Sequence, residues 1–133
     1  MALDTDVIYT SDLSRAEESA EIIAGELAEK GMDMRVSAEK GLREMALGKW
    51  DGMFISSVKE QYPKEYEMRG KDILSFKTGN DSENFYDLQY RTVDALTDIL
   101  KKDSSGDIII VAHGSLHICA AIAGNPAAFL NAL

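Results

Sequence analysis

Residues Ile108–Val111, "IIIV", are four consecutive β-branched residues that run straight into Ala112, His113 and Gly114. No polar residue alternates with them, so neither face of such a strand can be turned to water. The run demands cover on both faces, and in a chain of this size that means helices packed on a parallel sheet. The preceding segment fits the demand. Ser82–Lys102, "SENFYDLQYRTVDALTDILKK", reads as a helix capped by Ser82, with Lys101 and Lys102 at its negative end. Phe85, Leu88, Val93, Leu96 and Leu100 fall mostly on one side of it. A last helix is expected to start near Ser115.

The N-terminal part repeats the pattern. Asp6–Thr10, "DVIYT", reads as a short buried strand. A helix follows, capped by Ser11 or Asp12 or through the capping-box pair Ser14 and Glu17. Its apolar face is Ala16, Ala20, Ile23 and Leu27, and Gly31 ends it. A second strand is expected near Met34–Val36. The stretch from Arg43 to Asn80 has weak periodicity, glycine turns and Pro63, and reads as loops with short helices. The expected fold class is therefore α/β, with a mostly parallel central sheet of about three strands in one domain over residues 1–133. Ligands of such sheets gather at the carboxyl ends of the strands, which here means Ser11–Arg15 and His113–Ser115.

Composition narrows the partners. The formal net charge is −9, which disfavours nucleic acid and anionic membranes and suits a cytoplasmic protein. It leaves room for an anionic small molecule in a locally positive pocket. Cys119 is the single cysteine, so neither an intramolecular disulfide nor a cysteine-based metal cluster is available. No apolar run approaches the roughly 20 residues of a membrane span. The first ten residues carry Asp4 and Asp6 and no basic residue, unlike a signal peptide.

Three residues can carry chemistry. Arg15 stands where a strand gives way to a helix, and a guanidinium there can grip phosphate or carboxylate with two parallel bonds. The plainer alternative is a solvated arginine paired with Glu18 or Glu21. Glu44 sits in "GLREMALGKWDG" among apolar residues, a setting in which a carboxyl can act as general acid. Alternatively it is a surface glutamate beside Arg43. His113, at a strand end before Gly114, can donate to an anion or transfer a proton; it can also be a histidine satisfied by a nearby carbonyl. His117 lies four residues after His113, yet no third ligand accompanies the pair, so no metal site is expected. Ser115 forms no G-x-S-x-G elbow.

Taken in order, "VIYTSDLSRAEESAEII", "LREMALGKWDG", "NDSENFYDLQYRTVDAL" and "DIIIVAHGSLHICAAIAG" resemble the successive motifs of the histidine phosphatase superfamily, also called phosphoglycerate mutase-like. The likeness runs from about Asp6 to Asn125. It implies a three-layer α/β/α fold and phosphomonoester chemistry without a cofactor. The substrate would be a small phosphorylated metabolite, and inorganic phosphate a ligand. By the resemblance, Arg15 would bind the phosphoryl oxygens and Glu44 would be the general acid. His113 would stabilise charge in the phosphate pocket, and Ser11 would shape its rim.

The family's R-H-G segment, whose histidine is the nucleophile, has no counterpart before Arg15, and its later strands have none after Leu133. The expectation is thus a truncated family domain, inactive by the covalent route. The strand Ile108–Val111 would then be an open sheet edge on which two copies could pair. Three readings follow: a phosphatase-type enzyme domain, a non-catalytic phosphate-binding or dimerisation module, and a stretch of a longer enzyme. The short interval between Gly52 and Ser82 leans towards phosphatase over mutase. Specificity would lie in Met53–Asn80, where Lys59, Lys64, Arg69, Lys71 and Lys77 form either a basic patch or a solvated mixed-charge surface.

Overall fold

Three short strands carry the fold in the computed structural model, which describes residues 3–103 and 105–116. The chain divides into two units, residues 1–44 with 91–133, and residues 45–90. In the first unit, strand β1 (Val7–Ser11) is buried at all five positions. It pairs in parallel with β2 (Arg35–Glu39), from Val7 opposite Arg35 to Ser11 opposite Glu39. On its other side it pairs in parallel with β3 (Ile109–Val111), from Ile8 opposite Ile109 to Thr10 opposite Val111. The order is β2-β1-β3, so β1 is central.

Alternation along β1 divides the core between the two faces of the sheet. Ile8 meets Ala20 and Ala24 of helix α1 (Ser14–Ala28), with Val36, Ile109 and Val111 alongside. Val7 and Tyr9 meet Leu42, Ile99 and Leu116, with Ala95, Leu96 and Ile110 alongside. Ile99 belongs to helix α4 (Phe85–Lys102), so helices cover both faces. Each fully buried Ile or Leu here contributes about 1.5–3 kcal/mol over its exposed state.

The expected α/β class with a three-stranded parallel sheet is found, with some corrections of detail. The buried face of α1 is Ala16, Ala20 and Ala24, while Ile23 is 39% exposed. Alanines let the helix lie close to the sheet, and the larger Ile23 is turned aside. Leu13, whose side chain has no hydrogen-bonding group, occupies the N-cap of α1, while the Asp12 carboxylate is held by Arg43. In α4 the buried line is Phe85, Leu88, Thr92 and Ile99, with Val93 and Leu100 exposed. Ser82 does not cap α4. Its hydroxyl bonds Thr78 and Gly79 within a turn. The cap is Asn84: its side-chain oxygen accepts from the Asp87 N–H at 2.9 Å, and Asp87 accepts from the Asn84 N–H at 3.2 Å. β3 is half-buried, and β1 is the fully buried strand. The last helix begins at Gly114, while His117 and Cys119 lie outside the described residues.

The second unit holds helices α2 (Ile55–Gln61) and α3 (Pro63–Lys71), with Pro63 at the first turn of α3. Its core is aromatic. Trp50 stacks on Phe76 at 5.6 Å between ring centres and tilts against Tyr62 at 6.4 Å and Tyr66 at 6.5 Å. Gly48 and Gly52 bracket Trp50 with φ of 59° and 74°, a conformation that only glycine takes readily.

Candidate functional site

β1 and β3 run parallel and end together, with Thr10 opposite Val111. One residue past Thr10 stands Ser11, and two past Val111 stands His113. Their side chains meet: His113 Nε2 lies 2.9 Å from Ser11 Oγ. Both are buried, at 8% and 0% exposure. A buried polar pair of this kind persists because each group satisfies the other. The Ser11 hydroxyl oxygen also accepts from the Leu13 N–H at 3.3 Å, which ties it to the start of α1. The histidine is therefore anchored to a strand end and a helix start at once.

The next residue, Asp12, joins this corner to the loop that carries Glu44. Arg43 Nε and Nη2 donate to the two Asp12 oxygens at 2.6 and 2.7 Å, a bidentate pair. Arg43 accordingly holds the Asp12 carboxyl below the usual carboxylate range, and Asp12 raises the Arg43 guanidinium in turn. Glu44 follows directly and is half-buried.

Arg91, on α4, holds the same loop from behind. Its Nη1 donates to the carbonyls of Gly41 and Arg43, both at 2.9 Å, and its Nη2 to that of Glu44 at 3.4 Å. One guanidinium thus gathers three carbonyls and fixes the backbone on which Glu44 stands. Gly41 makes this approach possible, since a Cβ there would lie 2.6 Å from Ala95 Cβ.

Of the sequence candidates, Ser11 and His113 are in direct contact, and Glu44 is tied to them through Asp12 and Arg43. Arg15 stands in the first turn of α1, four residues beyond Ser11, with its side chain exposed. It makes no ion pair with Glu18 or Glu21. A cation left without a carboxylate beside a strand end remains available to an external anion. Asp12 and Arg91 were not singled out as site residues. Arg91 could have been reached through its place in the stretch "NDSENFYDLQYRTVDAL", and Asp12 through its place beside Ser11. Among the described residues no group of three or more His, Cys, Asp or Glu side chains could hold a metal. Nor is any helix among them long and apolar enough to cross a membrane.

The chain is similar to several known proteins. Phosphoglycerate mutase-like protein 4 of Arabidopsis thaliana is 28% identical over 109 residues, covering 82% of this chain and 46% of its own. A metal-independent phosphoserine phosphatase of the same plant is 28% identical, over 82% of this chain and 44% of its own. The chain thus spans about half the length of these curated relatives. The solved structure of Bacillus stearothermophilus YhfR superposes with a TM-score of 0.76 and 28% identity, over 92% of this chain and 57% of that one. A mycobacterial glucosyl-3-phosphoglycerate phosphatase shares the fold, with a TM-score of 0.72 and 21% identity over 88% of this chain and 57% of its own. The family model described as "Histidine phosphatase superfamily (branch 1)" matches residues 1–131, and the chain belongs to that superfamily.

Proposed function

We propose that these 133 residues form the phosphate-binding and proton-transfer part of a phosphomonoester hydrolase acting on a small phosphorylated metabolite. The observation that carries this is the buried Ser11–His113 pair, 2.9 Å apart where two parallel strands end. In the proposed reaction His113 donates to a phosphoryl oxygen, with Ser11 holding its ring in place. Arg15 supplies a planar two-pronged cation for the other oxygens. Glu44, on the loop fixed by Arg43 and Arg91, delivers a proton to the departing alkoxide. Phosphoryl transfer is mostly positioning and charge stabilisation, which is what these groups offer.

The names of the relatives support the reading, since two are phosphatases and one of the similar solved structures is a complex with inorganic phosphate. The family's covalent step needs the histidine of an R-H-G segment. The histidines here are His113 and His117, and His113 is already committed to the charge-stabilising role. Turnover by that route is therefore assigned to a polypeptide that also contains the segment.

Hydrolysis of an aryl phosphate by the 133 residues, with His113→Ala as control, tests the division of labour. The expected result is no hydrolysis above the control. Hydrolysis abolished by His113→Ala would contradict it.

A second reading is a non-catalytic module that pairs with a further copy of itself. It is favoured by β3 standing at the end of the sheet order among the described residues. An open edge of β-branched residues is a template for an added strand. The discriminating measurement is molar mass by light scattering across micromolar concentrations: a dimer lost on Ile110→Lys supports pairing, and a monomer throughout removes it.

A further inference from the structure

We propose that the second unit binds a small organic carboxylate, an acid with an aromatic or branched aliphatic body, in the cleft between Trp50, Tyr66 and Arg69. The cleft has a volume of about 200 Å³ and is lined by Leu47, Trp50, Met53, Ile55, Val58, Tyr66 and Arg69. That is below the ~300–1,000 Å³ of sites that enclose a drug-sized ligand, so it takes one ring or a short branched chain. Its lining side chains are mostly apolar, with Arg69 the one charged group.

One charged group of this cleft lacks a partner. The acids near Arg69 on α3 are already engaged: Lys49 pairs with Glu65 at 2.7 Å, and Lys71 with Glu67 at 2.6 Å. Arg69 itself is half-buried and makes no ion pair or hydrogen bond among the described residues. A half-buried guanidinium with five donors and no acceptor is the unusual feature of this surface. The tryptophan of the wall is itself enclosed. Trp50 is 5% exposed, and its Nε1 is buried with no hydrogen-bond partner.

One unpaired guanidinium matches the single charge of a carboxylate. A doubly charged phosphate would call for more cations. The apolar walls then supply the reason to prefer an organic acid over a bare anion. Ile55, 66% exposed at the rim, and its neighbour Phe54, 81% exposed, extend the apolar surface outward. This site is independent of the Ser11–His113 corner and does not rest on the phosphatase reading.

Trp50 is the only tryptophan, so its emission reports on the cleft directly. The probe is 3-phenylpropionate, titrated against the parent chain, with 3-phenylpropionamide as the neutral equivalent. The expected result is a saturable change in emission with the acid, at least about tenfold weaker with the amide and in Arg69→Gln. Lys71→Gln, which removes an already paired lysine, should bind as the parent does. Arg69→Lys should keep most of the affinity. Inorganic phosphate should neither alter the emission nor compete. The proposal is overturned by no saturable change below about 10 mM, by equal affinity for acid and amide, by Arg69→Gln binding as tightly as the parent, or by competition from phosphate. The acid–amide comparison needs no substitution, so it decides even where a variant folds poorly.

Discussion

Ser11 and His113 hold each other in a place with no bulk water, and this bond is what a single substitution tests best. Ser11→Ala removes the acceptor or donor at His113 Nε2 and the tie to the Leu13 N–H. A net hydrogen bond is worth about 1 kcal/mol, and a buried partner left short costs more. Urea unfolding should therefore show a loss of about 1–2 kcal/mol, with phosphate binding weakened several-fold because the ring is no longer aimed. An unchanged midpoint and unchanged binding would remove Ser11 from the account. Arg91 makes a different prediction. Arg91→Ala frees the carbonyls of Gly41, Arg43 and Glu44 and should cost about 2 kcal/mol. Arg91→Lys should rescue little, since an ammonium cannot span the three acceptors as a planar fork does. Hydrogen exchange should quicken at the amides of residues 40–46, while binding of phosphate, which does not pass through this loop, stays near the parent value.

Between elements, the tightest approach is that of the loop at Gly41 to helix α4. The Cβ of Gly41→Ala would stand 2.6 Å from Ala95 Cβ, so the helix or the loop must shift. Overpacking of this kind costs about 1–3 kcal/mol. Ala95→Gly in the same chain should recover part of it despite glycine's penalty in a helix, and a strictly additive double variant would show that the contact is not the cause.

The elements themselves were legible in the sequence to different degrees. The strands stood out because short β-branched runs between turn residues have few other uses, and β1 and β3 came out within a residue of expectation. The helix faces were less legible. Val93 and Leu100 are apolar enough to suggest burial, yet they are exposed, and the residues of the helix that pack with the sheet are Ala95, Leu96 and Ile99, so spacing outweighed size. Ser82 and Asn84 are both good caps, and the reciprocal bond from Asp87 decided between them. At the site, Ser11 and His113 were visible as residues at strand ends. The Arg43–Asp12 pair joins positions 31 apart in sequence, and Arg91 reaches carbonyls 47 to 50 residues away. No local pattern encodes such distances.

At the level of the whole molecule, acid should be its weak side. Asp12 is lowered by its bond from Arg43, Asp87 by Lys77, and Asp103 chiefly by Ser105, with Tyr9 adding to it. A carboxylate whose pKa is lower folded than unfolded binds fewer protons in the native state. Stability then rises with pH through that interval. The contribution of these three groups is complete above about pH 4, the unfolded carboxylate range, and is lost as pH falls through their folded values. Urea midpoints measured from pH 6 down to pH 2 should decline in that window. Asp12→Asn should make the decline shallower, because one of the three protons is no longer taken up. An equally steep decline in Asp12→Asn would mean that its pair with Arg43 adds nothing to the acid response.

The central claim is that Arg15 and His113 together receive a phosphoryl group. The most direct measurement is calorimetric titration of the 133-residue chain with orthovanadate or tungstate, beside Arg15→Ala and His113→Ala. The account predicts one site per chain in the parent and binding weakened at least about tenfold in each variant. Oxyanion binding equally tight in the parent and in both variants would contradict it and move the phosphate pocket away from this strand end.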